Sequence, residues 1–320
     1  MNARRNTSAA ATAVGAVAAA GVLAFAYGSL IERNRFTLRR EVLPLLGPGA
    51  EPVRILQLAD LHMAPWQARK QDWIRSLVDL EPDLVVDTGD NLGHLDGLSG
   101  VERALEPFAG IPGVFVHGSN DYYGPLFKNP LNYFLPGQKR IYYPPDLDTD
   151  ALEDALTRTL GWTSLNNAAT SFELRGSRIE LFGVNDAHRN WDRLDLLPGE
   201  IEDERENVEW DGAGADVVTI GVTHSPYRRV LDAFVTYGAS LILAGHTHGG
   251  QVRIPGLPAL VTNCDIPREQ AQGLSEWAHA GHEAYLNVSA GIGTSIYAPV
   301  RFACPPEAVL LTLVASDFAG

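Results

Sequence analysis

Five short polar clusters each follow an apolar run in this chain, and together they carry seven side chains able to ligate a metal. They are Asp60 and His62 in Asp60-Leu61-His62, Asp90 in Gly89-Asp90-Asn91, Asn120 in Gly118-Ser119-Asn120-Asp121, His224 in Thr223-His224, and His246 and His248 in Gly245-His246-Thr247-His248. Carboxylate, amide and neutral imidazole without sulfur suit divalent ions of intermediate hardness such as Mn, Fe or Zn, and seven donors suffice for two ions sharing one carboxylate. Two ions about 3.5 to 4 Å apart bind phosphate oxygens, lower the pKa of a bridging water and stabilise charge on a pentavalent centre. The chemistry implied is hydrolysis of a phosphoester by attack of a metal-bound hydroxide. Taken singly, each residue has an ordinary structural reading: Asp60 as a helix cap, Asp90 in a turn, Asn120 in left-handed backbone, His224 as a buried donor. Their joint placement at five strand ends argues for a site.

The elements that must position them follow from the apolar pattern. Val53–Leu58, Leu84–Asp87, Gly113–Val116, Asp216–Val222 and Leu241–Leu243 read as strands, and each stops where one cluster begins. Continuous short apolar runs such as Leu241-Ile242-Leu243 suit strands covered on both faces, and Gly245 permits a sharp turn at the tip. Helical spacing over 66–80, 98–108, 151–160 and 227–237 alternates with them, the pattern of an α/β sheet carrying its site on its rim. Thr163–Leu165, Ser171–Leu174 and Ile179–Phe182 read as strands of a second sheet, and the acidic segment Glu200–Asp211 as a solvated surface. Tyr122–Tyr143 interrupts the rhythm with seven aromatic and three basic residues. It reads as an ordered loop packing its own aromatics, or as a flap over the site facing a lipid headgroup region.

At 320 residues and 45% hydrophobic, the chain can bury a large core. A formal charge of -14, with no basic patch beyond residue 45, disfavours nucleic acid as a partner. Two cysteines, Cys264 and Cys304, form no metal or redox spacing and read as small buried residues. Ser8–Ile31 carries no charge and is long enough to cross a bilayer as a helix. Ala24-Phe25-Ala26 offers a competing signal-peptidase reading, but the apolar run continues through Leu30 and Ile31, which favours an uncleaved anchor in the cell membrane. Arg33, Arg35, Arg39 and Arg40 outnumber Arg4 and Arg5, so the positive-inside rule puts the main domain on the cytoplasmic side, unless Arg4-Arg5 belongs to a twin-arginine export signal. The organisation expected is an anchor with its basic flank over 1–40, an extended linker over 41–52 punctuated by Pro44, Pro48 and Pro52, and one domain over 53–320.

The five clusters resemble the motifs of the calcineurin-like metallophosphoesterases, and the resemblance spans almost the whole folded part. It implies two facing mixed β-sheets flanked by helices, with a dinuclear centre at one edge. By that resemblance Asp60, His62 and His248 hold one metal, Asp90 bridges, and Asn120, His224 and His246 hold the other. Gly249-Gly250-Gln251-Val252-Arg253-Ile254-Pro255, Gly291-Ile292-Gly293-Thr294 and Pro299-Val300-Arg301 are similar to a membrane-anchored bacterial branch that includes lipid and nucleotide-lipid phosphodiesterases. One departure stands out: the family reads Gly-Asn-His-Asp or Glu where this chain has Gly118-Ser119-Asn120-Asp121. A one-residue shift keeps Asn120 on the metal and leaves Asp121, with His117 as the second candidate, in the place of the histidine acid. The activity expected is cleavage of a phosphodiester or pyrophosphate, of a phospholipid or nucleotide-linked lipid, with slow release of leaving groups that need protonation. A phosphomonoesterase, a cyclic-nucleotide phosphodiesterase and a non-catalytic scaffold retaining the fold are the alternatives.

Overall fold

The computed structural model describes residues 2–125, 145–207 and 217–316. Two six-stranded mixed sheets face one another. The first runs β1 (Thr37–Leu46), β12 (Glu307–Ala315), β2 (Val53–Leu58), β3 (Leu84–Asp87), β4 (Gly113–Phe115) and β5 (Thr163–Ser164). The second runs β10 (Gly273–His279), β11 (His282–Val288), β9 (Leu241–Ala244), β8 (Val217–Thr223), β7 (Ser177–Gly183) and β6 (Ala168–Leu174). Strand side chains alternate between faces, and the buried clusters divide accordingly. Val53 and Ile55 of β2, Leu84 and Val86 of β3, Ile220 and Val222 of β8, and Leu241 and Leu243 of β9 meet in the core between the sheets. The alternate residues Leu56, Leu58 and Val85 turn outward to Ile74 of α2 (Ala68–Ser76), Val101 and Leu105 of α3 (Leu98–Leu105) and Leu152 of α4 (Thr149–Asp154). On the other flank Ile242 and Ala244 meet Ile201 of α5 (Leu197–Asn207) and Val230, Leu231 and Phe234 of α6 (Arg228–Thr236).

β2, β3 and β4 run parallel, as do β8 and β9, so their carboxyl ends gather at one edge. Across that edge the sheets are joined by Gln57, whose amide donates to the Ala244 carbonyl at 2.9 Å and accepts from Asn287 at 2.5 Å.

Two expectations change. The segment taken as a linker, 41–52, is strand as far as Leu46: β1 pairs parallel with β12, and Leu43 and Leu46 are buried in the core. Pro44 is tolerated because β1 is an edge strand whose register shifts between Leu43 and Leu46. The Thr163 strand joins the edge of the first sheet instead of the second, pairing parallel with β4. The acidic segment is solvated as expected over its described residues 200–207: Glu200, Glu202, Asp203 and Glu206 are exposed on α5, while Leu197 and Ile201 turn into the core.

At the amino terminus α1 spans Asn2–Leu30. The expected membrane span over 8–31 falls in part on side chains outside the described set, and among the described residues no helix is long and apolar enough to cross a membrane. Most of the expected flap, residues 126–144, also lies outside the described residues. Both cysteines are free, Cys304 buried and Cys264 half-buried.

Candidate metal centre

Each candidate ligand sits just past a strand. Asp60 and His62 follow β2, Asp90 follows β3, Asn120 follows β4, His224 follows β8, and His246 and His248 follow β9. Asp60, His62, Asp90, His246 and His248 all hold left-handed backbone, with φ of 50°, 40°, 59°, 70° and 49°. Such strain costs on the order of 1 kcal/mol or more per residue and persists only where the surroundings enforce it. Here backbone hydrogen bonds between the motifs enforce it. Asp60 N–H donates to Gly89 O, His62 N–H to Asp90 O, and Gly245 N–H to His224 O, at 2.9 to 3.0 Å.

The side chains converge from both sheets. His62 Nε2 lies 3.1 Å from His248 Nε2, and His248 Nε2 lies 3.5 Å from Asp60 Oδ1. Asp90 Oδ2 is 3.5 Å from His62 Nε2 and 3.4 Å from His224 Nε2, so this one carboxylate faces a histidine of each half. His246 Nδ1 lies 3.2 Å from His224 Nε2, and its backbone N–H donates to Asp60 Oδ2 at 3.0 Å. The Asn120 side-chain amide donates to Asp90 Oδ2 at 2.6 Å.

These groups fit divalent metal. The donor atoms of Asp60, His62 and His248 lie within 4.8 Å of one another, as do those of Asp60, Asp90 and His224. All are nitrogen or oxygen, and the two facing imidazole nitrogens of His62 and His248 have a natural common partner in a cation. The outer nitrogens are held too, as ligating histidines require: His224 Nδ1 lies 2.8 Å from Thr88 O, and His246 Nε2 3.2 Å from Asn263 O. Burial drives the charge states. It pushes Asp60 up to about 7 against the opposing pull of His224. It pushes His62 down to about 4, with Asp90 pulling upward, and His246 and His248 well below the usual imidazole range. For His224 burial acts downward but is outweighed by Asp90, which raises it well above that range; His224 in turn outweighs the burial of Asp90 and holds that carboxyl well below the carboxylate range.

Neither expected proton donor is placed for that task. The Asp121 carboxylate is 0% exposed and accepts four backbone N–H groups. Oδ2 receives those of Asp90 and Gly118 at 2.9 Å, and Oδ1 those of Asn91 and Leu92 at 2.6 and 3.3 Å. Asp121 therefore braces the second and third motifs from behind. His117 is 1% exposed, with Nε2 2.6 Å from Glu153 Oε2 and Nδ1 3.6 Å from Asp121 Oδ2. Burial alone would lower it, but those two carboxylates push it up to about 9. Asn120, by contrast, lies at the centre, its side-chain amide on Asp90 Oδ2 at 2.6 Å.

Sequence reasoning missed two groups beside the centre. Lys70, buried on α2, donates to the carbonyls of Leu61 and His62 at 2.5 and 3.0 Å. The His188 ring packs against that of His246 with centroids 4.7 Å apart and planes tilted by 46°, and its Nδ1 lies 2.9 Å from the Tyr227 hydroxyl. The spacing of Lys70 with Trp73, Ile74 and Leu77 was the available signal for the first; the second had none.

Residues 53–250 match the family model for calcineurin-like phosphoesterases. The chain is 26% identical over 295 residues to the phosphodiesterase YaeI of Escherichia coli (strain K12), covering 91% of this chain and 93% of that one. It is 26% identical over 286 residues to an uncharacterised metallophosphoesterase of Aquifex aeolicus (strain VF5), covering 88% and 90%. The crystal structure of a dimetal phosphatase from Danio rerio aligns with a TM-score of 0.41 at 11% identity, over 76% of this chain and 88% of that one. The match over 53–250, which contains all five motifs, shows that the chain belongs to the calcineurin-like phosphoesterases and is a metallophosphoesterase, a hydrolase of phosphoric esters.

Proposed function

We propose that the chain is a dinuclear phosphohydrolase that cleaves a phosphodiester or pyrophosphate bond, with Asp60, His62 and His248 on one ion, Asn120, His224 and His246 on the other, and Asp90 between them. The observation that carries this is the position of Asp90 Oδ2, 3.5 Å from His62 Nε2 and 3.4 Å from His224 Nε2. With Mn, Fe or Zn bound, such a centre supplies Lewis acidity toward a phosphoryl group and lowers the pKa of water. The chain's own part is to fix the donors, through the inter-motif backbone hydrogen bonds, and to aim polar hydrogens at the reacting group. The Asn120 side-chain amide, now on Asp90, can donate a hydrogen bond to a phosphoryl oxygen but has no proton to transfer. Asp121 and His117 are turned to other partners, so the leaving group must depart largely as an anion. That favours phosphodiesters and pyrophosphates with acidic leaving groups over alkyl monoesters.

The lipid nature of the substrate, and an anchor formed by α1 with the domain on the cytoplasmic side, belong to the same proposal. They are motivated by the uncharged stretch 8–31 and the arginines at 33, 35, 39 and 40. The test uses the full chain in detergent, loaded with Mn, on aryl phosphodiesters and monoesters of graded leaving-group pKa, with His246→Ala as control. Diester hydrolysis that steepens with leaving-group acidity and vanishes in the control is expected. Rates independent of leaving-group pKa, or faster on monoesters, would refute this reading; metal binding without turnover on any ester would favour a scaffold.

A further inference from the structure

Among the described residues Arg301 is the largest fully buried side chain, 0% exposed, and forms no ion pair with a carboxylate. Its charge is met by carbonyls instead. Nη2 donates to Ala290, Gly291 and Gly293 at 2.7, 3.0 and 2.7 Å, and Nη1 to Cys304 at 3.3 Å. A guanidinium buried with no carboxylate in direct contact is a costly way to fill space, even with Asp60 and Glu307 near enough to act on its charge, so packing alone does not explain it. Three of these carbonyls, those of Ala290, Gly291 and Gly293, belong to a strap laid directly over Asp60. Ile292 N–H donates to Ala59 O at 3.0 Å and Gly293 N–H to Asp60 O at 2.7 Å. A Cβ at Gly291, whose φ is 71°, would stand 2.5 Å from the Asp60 Cβ. On its other side the guanidinium lies 3.4 Å from His248 Nδ1, behind the ring edge that faces the centre. Asp60 and His248 sit in the same half of the centre.

The segment bearing Arg301 rests in turn on the end of α1. Arg301 N–H donates to Gly28 O at 3.2 Å, and a Cβ on Gly28 would lie 2.6 Å from Arg301 O. The Glu32 carboxylate, 4% exposed, accepts the Cys304 N–H at 2.7 Å. We propose that Arg301 is a positioning residue that holds the Asp60–His62–His248 half of the centre in ligating geometry, and that this half is thereby tied to the last turns of α1. The histidines of the other half rest on Thr88 and Asn263 and do not touch this arginine.

The inference rests on the dinuclear reading, and one experiment separates the two. Metal-free full-length protein in detergent is titrated with Mn by calorimetry, wild type against Arg301→Lys, Gly28→Ala and His248→Ala. Wild type takes up two equivalents; uptake of fewer overturns the dinuclear reading and this assignment with it. Arg301→Lys, a point charge that cannot span the four carbonyls, is expected to weaken one equivalent by about 10- to 100-fold, the equivalent that His248→Ala removes, and to leave the other nearly unchanged. Two equivalents at wild-type affinity, or equal weakening of both in a variant whose apo melting matches wild type, overturn the proposal. If Arg301→Lys does not fold, Gly28→Ala decides, since it alters no side chain of the site. It is expected to weaken the same equivalent by roughly 3- to 10-fold, and unchanged binding refutes the link.

Discussion

Replacing Asp121 by asparagine separates a brace from an acid. The swap keeps the shape and turns one carboxylate oxygen into an NH2 group. Whichever oxygen is lost, two backbone N–H groups that now donate to it meet another donor: those of Asp90 and Gly118, or those of Asn91 and Leu92. Each buried N–H left unpaired costs about 1–3 kcal/mol, and the two remaining bonds lose the strength that a charged acceptor gives. The sum is about 3–5 kcal/mol, a drop in Tm of roughly 5–10 °C for a chain of this size. Guanidinium unfolding of the metal-free protein reads the stability, and hydrolysis of aryl diesters across a range of leaving-group pKa reads the chemistry. The expected result is lower stability with one common fall in rate for all leaving groups. If Asp121 were the proton donor, the loss would concentrate on poor leaving groups, by about 10²-fold or more, with stability little changed. That second pattern would refute the bracing argument.

The His117–Glu153 pair gives a pH signature. Because the folded His117 is raised to about 9 from an ordinary 6.5, its contribution is fully present below about 6.5 and lost as pH rises through 9. It should amount to on the order of 2 kcal/mol after discounting for the partly exposed Glu153. Lys70, pushed down to about 7 by burial and by Arg301, acts in the opposite direction over that range. The quantity to read is therefore the unfolding free energy of wild type minus His117→Gln in chelator from pH 6.5 to 9.5; a difference that stays constant refutes the assignment. Truncation tests the first strand. A chain starting at Val53 loses β1 with the burial of Leu43 and Leu46, about 1.5–3 kcal/mol for each side chain, and leaves β12 as a bare edge. It should melt well below one starting at Phe36 or aggregate on expression, and equal Tm values would show β1 to be dispensable.

The sequence alone determined that five strands each end in a side chain able to ligate a metal. The cause is local: apolar runs this short, bounded by Gly and polar clusters, suit covered strands better than helices, and the Asp, Asn and His at their tips have no apolar role there. It also favours Asn120 over Ser119 as the residue of the third cluster at the centre, because a serine hydroxyl is a poor substitute for an amide oxygen, and the Asn120 amide does lie on Asp90 at 2.6 Å.

What only the tertiary structure decided are the properties that depend on groups distant in sequence. Asp121 looked available to donate a proton, but N–H groups of Asp90, Asn91 and Leu92, some 30 residues earlier, converge on it together with that of Gly118. β1 was concealed by Pro44 within it and by Pro48 and Pro52 just beyond, and only pairing with β12 at the far end of the chain makes it strand. Arg301 stood in a Pro-rich tail with no periodicity around it. Its role exists only because the chain returns after β11 to lay Gly291–Gly293 over Asp60, bringing buried carbonyls to a charge that local sequence gives no reason to bury.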